Sequence, residues 1–249
     1  MRLVGDSSAG FVLHSYPYRE TSLIIESFTR SHGRMVFVAK GAKRPASTMK
    51  GVLNPFQRLL FNWFGKADMK TLKSVEHGRI FPQLSGSALM SAFYMNELLL
   101  KLAHREDAHE VLFDAYEVAV TQLSGADTPL DIRGIGAVLR RFEIALLREL
   151  GYALMLAEEA DTRQPIIASG QYLYLFEHGP VAIGRIARQG SGDGLQLNGK
   201  TLLDMASGDF ADPVTQQQSK QLMRRAINHM LGDKPLHTRQ LIRELQGGW

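Results

Sequence analysis

Cysteine is absent from the 249 residues. The chain can therefore form neither disulfide bonds nor thiolate metal sites, and its composition fits a reducing compartment such as the cytoplasm. Long hydrophobic runs are missing as well: no segment reaches the roughly 18 consecutive apolar residues of a membrane span, so we expect no membrane segment. Residues 1–10 contain one basic residue and no apolar stretch, and we expect no secretory signal there.

Signatures of catalysis are also scarce. The chain has no H-E-x-x-H pair for zinc and no G-x-S-x-G turn for acyl transfer. Its eight histidines are scattered, and His104 and His109 are five residues apart, a spacing that does not place them on one helix face. We therefore expect no catalytic residue, no metal and no cofactor.

One segment, from Gly194 to Thr201, fits the G-x-x-x-x-G-K-[ST] pattern of a phosphate-binding loop. Its context favours another structure. Leu195 and Leu197 alternate as in a strand, and the Asn198-Gly199 dipeptide is typical of tight hairpin turns. We interpret the segment as a β-hairpin. A nucleotide hydrolase that uses this segment is the alternative, and binding of ATP would reveal it.

Positive charge is concentrated in the first third of the chain. The net charge of the whole chain is only +4, but residues 1–80 contain 13 Lys and Arg against 5 Asp and Glu, a net +8. Residues 81–160 carry a net −6, and residues 161–249 a net +2. This distribution indicates that the first third, and not the middle, contacts a polyanion.

The first 80 residues contain five short segments rich in β-branched and aromatic side chains, and we predict five strands. In the third strand Met35, Phe37 and Ala39 alternate with Arg34, Val36 and Val38, an imperfect period of two that is expected when a barrel strand is largely buried. Turn residues, Tyr16-Pro17 among them, separate the strands. Five strands without intervening helices predict a small β-barrel. The predicted strands cover residues 10–15, 22–28, 33–39, 57–64 and 70–76.

A helical period replaces the strand period after about residue 85. We predict one helix capped by Ser87, a second over residues 108–123, and a third with Asp131 as its N-cap and Gly151 at its end. Further on, residues 171–176 are predicted as a strand, and residues 215–231 and 238–245 as helices. The fold class is thus α+β. We expect a barrel domain over residues 1–80 and a mainly helical domain over residues 81–249 with a small irregular or β insertion.

Basic side chains of the barrel are the candidate contacts for a nucleic acid. Four of them, Lys40, Lys43, Arg44 and Lys50, fall within the polar residues 40–51, which we expect to form a mobile loop. Phosphates of nucleic acids are neutralised by such side chains. Others lie on or near the predicted strands: Arg19, Arg30, Arg34, Lys66, Lys70 and Lys73.

Aromatic side chains in the same region supply flat faces on which unpaired bases can stack. Tyr16, Tyr18, Phe61, Trp63 and Phe64 are available. Because the side chains of a strand alternate between its faces, Phe61 and Trp63 share one face and Phe64 lies on the other. Most aromatic side chains of a barrel fill its interior, and we predict Trp63 as the one that stacks.

The third predicted helix carries arginines in an otherwise acidic region. Arg141 and Arg148 are seven residues apart and line one face, and Arg140 and Ile144, four apart, line another. A basic rim beside apolar surface fits an acidic, hydrophobic peptide. An ion pair between these arginines and Glu143 or Glu149 is the equally weighted structural explanation.

Short segments spread over residues 10–155 resemble the RecO family, recombination mediators of bacterial DNA repair. Each segment is weak by itself, but their order and spacing are specific. The region around Gly232 and Leu236 resembles the family more loosely. The segments are Phe11-Val-Leu-His-Ser15, Glu20-Thr-Ser-Leu23, Val38-Ala-Lys-Gly-Ala42, Leu53-Asn-Pro-Phe56, Lys70-Thr-Leu72, Tyr94-Met-Asn-Glu-Leu98, Arg140-Arg-Phe-Glu-Ile-Ala-Leu-Leu147 and Leu150-Gly-Tyr152.

The resemblance implies an oligonucleotide-binding (OB) barrel followed by a helical domain. It implies binding of single- and double-stranded DNA, annealing of complementary strands, and association with the nucleoid. It also implies contact with the acidic C-terminal tail of the single-stranded-DNA-binding protein and cooperation with RecR in loading RecA. An RNA-binding OB-fold factor is the second alternative, and competition between single-stranded DNA and RNA of one sequence would distinguish it.

The chain departs from the resemblance in one region. Many RecO proteins hold zinc with four cysteines after the helix that ends near Gly151, and this chain has no cysteine. We therefore expect residues 155–195 to be a cysteine-free remnant of that region, held by packing without zinc.

Overall fold

Five strands close into a β-barrel at the N-terminus, in the order β1-β2-β3-β5-β4 with β4 back against β1. Strands β3 and β5 run parallel and the other neighbours antiparallel. This barrel confirms the predicted fold class. The computed structural model describes residues 6–65, 67–126, 128–186, 194–232 and 234–241. The barrel strands are β1 Asp6–Tyr18, β2 Ser22–Thr29, β3 Gly33–Ala39, β4 Leu59–Phe64 and β5 Met69–His77.

Alternating side chains fill the barrel. Met35, Phe37 and Ala39 of β3 are buried in its core, which confirms the predicted period of two. Phe61 and Trp63 of β4 lie in the same core, so they share a face as predicted. The interior is thus occupied by large apolar side chains, and any ligand must lie on the outside of the barrel.

Strand β1 is longer than predicted because Tyr16-Pro17 does not form a turn. Pro17 is paired with Leu23 of β2. The pairing of β1 with β4 covers only Asp6 to Gly10, so the second half of β1 is an edge, where a proline lacking its N–H is tolerated. The turn follows instead over residues 19–21.

Residues 40–51 form consecutive turns where a mobile loop was expected. The N–H of Arg44 donates to Gly41 O at 3.0 Å, and the N–H of Ser47 donates to Arg44 O at 3.0 Å. Ala42 is buried in the barrel core, and Met49 packs against it. Apolar anchors therefore hold this polar segment on the end of the barrel.

Two helices, α1 Gly86–Leu102 and α2 Glu110–Leu123, pack on the outside of the barrel. Their contact is aromatic: the Phe113 ring lies 5.6 Å from the rings of both Phe11 and Phe28. Helix α1 begins two residues earlier than predicted, with Ser85 rather than Ser87 before its first residue, and α2 begins at Glu110 rather than at residue 108.

Gly33 shows how closely the helical pair approaches the barrel. Its φ is +64°, and a Cβ there would lie 1.7 Å from the carbonyl oxygen of Asp107 in the α1–α2 connection. Only glycine tolerates both conditions. The start of β3 and this connection are consequently in direct backbone contact.

The described chain divides into two compact units. The first contains the barrel, α1, α2 and residues 234–241, and the second contains residues 131–232. Within the first unit, Leu236 and Thr238 are buried beside α1, where Glu97 accepts hydrogen bonds from the N–H groups of His237 and Thr238. The domain boundary expected near residue 80 stays a prediction.

The second unit combines helices with a three-stranded sheet of order β7-β6-β8. Helix α6 packs on α3 and α5. As predicted, Asp131 caps α3, its carboxylate accepting from the N–H of Gly134 at 2.7 Å. The elements are α3 Ile132–Glu149, β6 Gln171–Leu175, β7 Gly179–Ala182, α4 Ile183–Ile186, β8 Leu195–Asn198, α5 Gly199–Ser207 and α6 Pro213–Leu231.

Hydrogen bonds hold the described part of the region expected as a zinc-site remnant. The N–H of Glu159 donates to Gln164 O at 2.8 Å, and that of Ile166 donates to Ala157 O at 2.9 Å. The buried carboxylate of Glu159 accepts from the hydroxyl of Thr162 at 2.7 Å. Among the described residues no three His, Asp or Glu side chains form a potential metal site.

None of the helices in the described ranges combines the length and apolarity needed to cross a membrane.

Candidate nucleic-acid interface

Six of the predicted phosphate-binding side chains are exposed and converge on one end of the barrel. No ion-pair partner faces them in the described part of the chain. Unpaired cations on a rigid scaffold form a field that attracts phosphates. We call this group the basic end: Arg19, Lys40, Lys43, Arg44, Lys50 and Lys73.

Two turns bring most of the basic end together. The β1–β2 turn lies against residues 40–51, because the N–H of Lys43 donates to Thr21 O at 2.9 Å. Arg19 in that turn has φ +52°, an uncommon conformation for a side chain with a Cβ. Its guanidinium lies 5.2 Å from the ring centre of Tyr18. Glu20 is the acidic residue of the same turn.

Lys73 of β5 is the sixth residue of the basic end. Val38 and Thr71 are the last register pair between the parallel strands β3 and β5. Lys40 follows Val38 by two residues and Lys73 follows Thr71 by two, so the register places Lys73 of β5 beside Lys40 at the end of β3.

Three other predicted DNA contacts are structural, which corrects the sequence-based assignment. Arg30 pairs with Asp114 of α2, and this hydrogen bond raises the pKa of its guanidinium. Lys70 is 9% exposed and pairs with Glu106 at 2.6 Å. Both cations are paired with carboxylates of α2 or of the α1–α2 connection, so packing already uses their charge.

Arg34 is the third of these residues. Its side chain is 14% exposed, donates to the carbonyls of Leu100 and Ala103, and lies 3.4 Å from the carboxylate of Glu26. Burial lowers the pKa of its guanidinium, which the Glu26 charge only partly offsets. Arg34 therefore holds the C-terminal end of α1 on the barrel. Lys66, the remaining predicted cation, lies outside the described residues.

These pairs explain the uneven charge of the sequence. Part of the excess in residues 1–80 neutralises the acidic residues of the α1–α2 region, as Arg58 also does with Glu117 at 3.2 Å. Most of the described cations that remain belong to the basic end, and Arg79 lies apart from them over the Phe81 ring. Some of the positive charges behind the net +8 of residues 1–80 thus form ion pairs between the barrel and the helices, and others are exposed at the surface.

Trp63 is not a stacking residue. Its side chain is 1% exposed and packs in the barrel core, with its ring centre 5.2 Å from that of Phe37. No face of the indole is open to a base. The pairing of β4 with β5 shifts register between Asn62 and Trp63, but both Phe61 and Trp63 still point inward.

The exposed aromatic side chains lie on β1 instead. Tyr16 is 46% exposed, and the ring of His14 lies 4.4 Å from it. The sequence predicted a turn at Tyr16-Pro17 and included Tyr16 among the aromatic candidates for stacking, but Trp63 was preferred to it. The signal that would have identified it is its i, i+2 spacing with His14 and Tyr18, which puts the three rings on one face of a strand.

In the second unit, Arg140 is held by its own helix. Its guanidinium contacts both carboxylate oxygens of Glu143 at 2.7 Å, and the Glu143 side chain is 1% exposed. The ion-pair explanation therefore applies to Arg140. This residue is a poor choice for contact with a peptide tail.

Arg141 and Arg148 remain exposed on α3. The Arg141 Nε–H donates to Gly208 O at 3.0 Å, and its guanidinium lies 5.7 Å from the ring centre of Phe210. Arg148 has only a long contact of 3.8 Å with Glu149. With the partly exposed Ile144 between them, the two arginines line one helix face.

The segment from Gly194 to Thr201 is neither the predicted hairpin nor a phosphate-binding loop. Strand β8 continues directly into α5, so Asn198-Gly199 opens a helix. The helix N-terminus is occupied: the N–H of Gly199 donates to Gly170 O at 2.8 Å, and that of Lys200 donates to Ala168 O at 2.9 Å.

The side chains of the motif are also engaged. Lys200 pairs with Asp204, which raises the pKa of its ammonium group, and Thr201 Oγ1 donates to Gln218 Oε1 at 2.6 Å. A Cβ on Gly199 would lie 1.9 Å from Ile167 O, so this glycine serves backbone packing. Two N–H groups that a phosphate would need are thus already bonded to carbonyl oxygens, and the geometry argues against a hydrolase.

Comparison with known proteins covers nearly the whole chain. The family model described as recombination protein O N terminal matches residues 1–81, and recombination protein O C terminal matches residues 83–240. A DNA repair protein RecO of Aromatoleum aromaticum is 48% identical, over 97% of this chain and 96% of its own. RecO of Nitrosospira multiformis is 49% identical over 97% and 96%, and RecO of Thiobacillus denitrificans 46% over 96% and 92%. Neither matching family description names a catalytic activity.

Proposed function

The chain belongs to the recombination protein O family, and from this premise we propose that it is a recombination mediator that grips DNA with the basic end of its barrel. The observation that carries the proposal is the set of six exposed cations without carboxylate partners in the described chain. The ion-paired cations of the same barrel face the helices, whereas the six cations of the basic end have no such partner and can bind phosphate.

Annealing of complementary strands requires no acid, base or metal. Two strands repel each other through their phosphates, and a protein that neutralises both lets the bases search for register at close range. A barrel end with cations on two turns and one strand can contact either single- or double-stranded DNA. We propose that the chain anneals strands in this way.

The second proposed contact is an acidic peptide on α3. Arg141 and Arg148 offer guanidinium groups on either side of Ile144, which suits the acidic C-terminal tail of the single-stranded-DNA-binding protein. Such a contact would bring the mediator to covered strands, where with RecR it would help to load RecA. Support for these partners comes from the family alone.

Salt dependence of DNA binding tests the proposal. Contacts to about five phosphates of single-stranded DNA would give a slope of log affinity against log salt near −3.5, at about 0.7 per phosphate. Replacing Lys43 and Arg44 by Gln should reduce the magnitude of the slope by about 1.4. The control replaces Lys220 and Arg224, two exposed cations of α6, in the same way and should leave the slope unchanged.

A slope near zero, or equal effects of the two variants, would refute the assignment of the basic end. The same assay with RNA of identical sequence as competitor addresses the RNA-binding alternative. Preference for the RNA would favour that alternative, because the family premise leads us to expect preference for DNA.

A further inference from the structure

The outer face of β1 carries three aromatic rings in a row. His14, Tyr16 and Tyr18 alternate with Ser15 and Pro17, so the three rings point away from the barrel interior. His14 and Tyr16 are exposed and Tyr18 is half-buried. Residues two apart on a strand are separated by about 6.8 Å along the backbone, since each residue rises about 3.4 Å, and the rings of His14 and Tyr16 lie 4.4 Å apart.

The strands beside β1 extend this row into a surface. Tyr16 is paired with Ile24, Ile24 with Val38, and Val38 with Thr71, and all three neighbours are partly exposed. Because directly paired residues share a face of the sheet, Tyr16 sits on an open apolar strip across four strands. We call His14, Tyr16, Tyr18, Ile24 and Val38 the aromatic face.

The basic end borders the aromatic face on one side. Arg19 lies over the Tyr18 ring, and Lys40 follows Ala39, which is paired with Leu23. The N–H of Gly41 donates to Ser22 Oγ at 3.4 Å, so Lys40 is close to the row of Tyr18 and Ser22. Flat rings and unpaired cations thus lie side by side on one surface.

Few ligands need both features. Phosphate groups account for the cations, but the bases of a duplex are stacked on each other and present no free face to Tyr16. Unpaired nucleotides present both phosphates and base faces. Nothing in the barrel requires an exposed Tyr16, since its interior is filled by Trp63, Phe37 and other buried side chains.

We propose that the aromatic face stacks on unpaired bases of single-stranded DNA while the basic end holds the neighbouring phosphates. This inference rests on the proposed DNA-binding function. It means that the aromatic face is the surface by which the protein distinguishes single-stranded DNA from a duplex. Tyr16 is the central contact, because it lies between His14 and Tyr18 in the row and is more exposed than Tyr18.

The test compares Tyr16→Ala with Tyr16→Phe, which keeps the ring. Binding is measured by fluorescence anisotropy to oligothymidine, to an abasic strand of equal length, and to a duplex. Tyr16→Ala should weaken oligothymidine binding roughly 5- to 100-fold, the usual range for loss of one base–aromatic stack. Tyr16→Phe should bind as the unchanged protein does, and affinity for the abasic strand should not change in either variant.

Tyr152→Ala is the matched control, since Tyr152 is 58% exposed and lies in the second unit. Thermal unfolding of each variant verifies the fold. Equal loss on oligothymidine and abasic DNA, or no loss on either, would overturn the stacking assignment. Those results are separable from failure of the proposed function, in which the unchanged protein itself shows no salt-dependent DNA binding.

Discussion

At the scale of single residues, Glu97 shows how a carboxylate in α1 secures the end of the chain. It accepts from the N–H of His237 at 2.8 Å and from the N–H and hydroxyl of Thr238 at 2.9 and 2.6 Å. Lys101 lies 3.2 Å away. Burial acts to raise the pKa of Glu97, but these donors outweigh it, and the pKa is lowered.

We predict that Glu97→Gln lowers the free energy of unfolding by about 2 kcal/mol at neutral pH, the range for hydrogen bonds to a charged group. Because the folded-state pKa is lowered, this contribution is complete above the unfolded-state value of about 4.3 and is lost as pH falls through the lower folded-state value. Urea unfolding of both proteins between neutral and acidic pH measures the difference. A difference that stays constant with pH would contradict the prediction, and Glu76→Gln, an exposed position, is the control.

At the scale of secondary-structure elements, an aromatic cluster joins the barrel to the helical pair. Phe113 of α2 is fully buried and touches Phe11 and Phe28 from two barrel strands, while Arg30 and Lys70 add ion pairs around it. The helices therefore belong to the same packed unit as the strands.

Phe113→Ala should lower the free energy of unfolding by about 3–5 kcal/mol, because it leaves a cavity between two elements. The same substitution at Phe93, which is 36% exposed, should cost clearly less. Chemical denaturation of the two variants makes the comparison. Similar losses at both positions would mean that α2 does not support the barrel as we describe.

At the scale of the whole molecule, some charged side chains form ion pairs that stabilise packing, and others are exposed and can bind a ligand. The chain leaves the first unit after Leu130 and returns to it in residues 234–241, and the second unit carries its own exposed arginines. The tail-binding proposal uses Arg141 and Arg148 and not Arg140, because replacing Arg140 would disturb the buried Glu143 and cost about 3 kcal/mol of stability.

We predict that Arg141→Glu combined with Arg148→Glu weakens binding of an acidic tail peptide about tenfold or more, since two charge-assisted contacts are reversed. DNA affinity should remain within about twofold, because the basic end is unchanged. Calorimetry with the peptide and anisotropy with DNA provide the two readings. If the affinities for the peptide and for DNA fall equally, α3 is not the specific binding site for the tail. Lys220→Glu combined with Arg224→Glu is the control for the change in net charge.

Local patterns in the sequence were sufficient for the five barrel strands and for the long helices α1, α2, α3 and α6. The alternation of Met35 and Phe37 predicts a strand with an apolar face, and Asp131 predicts the start of α3, because both signals act between near neighbours in the chain. The excess of positive charge in residues 1–80 predicts a polyanion site for a similar reason: it is a sum over residues and needs no coordinates.

The candidate site itself required tertiary structure. Whether a lysine or arginine is free depends on carboxylates far away in sequence, as Arg30 with Asp114 and Lys70 with Glu106 show. Whether an aromatic ring is open depends on which face of each strand the closed barrel turns inward, and this buries Trp63 and leaves Tyr16 exposed. Composition and periodicity alone determined that this cysteine-free chain has a basic barrel and a helical remainder. Only the packing of distant segments decided which of its cations and rings can meet a ligand.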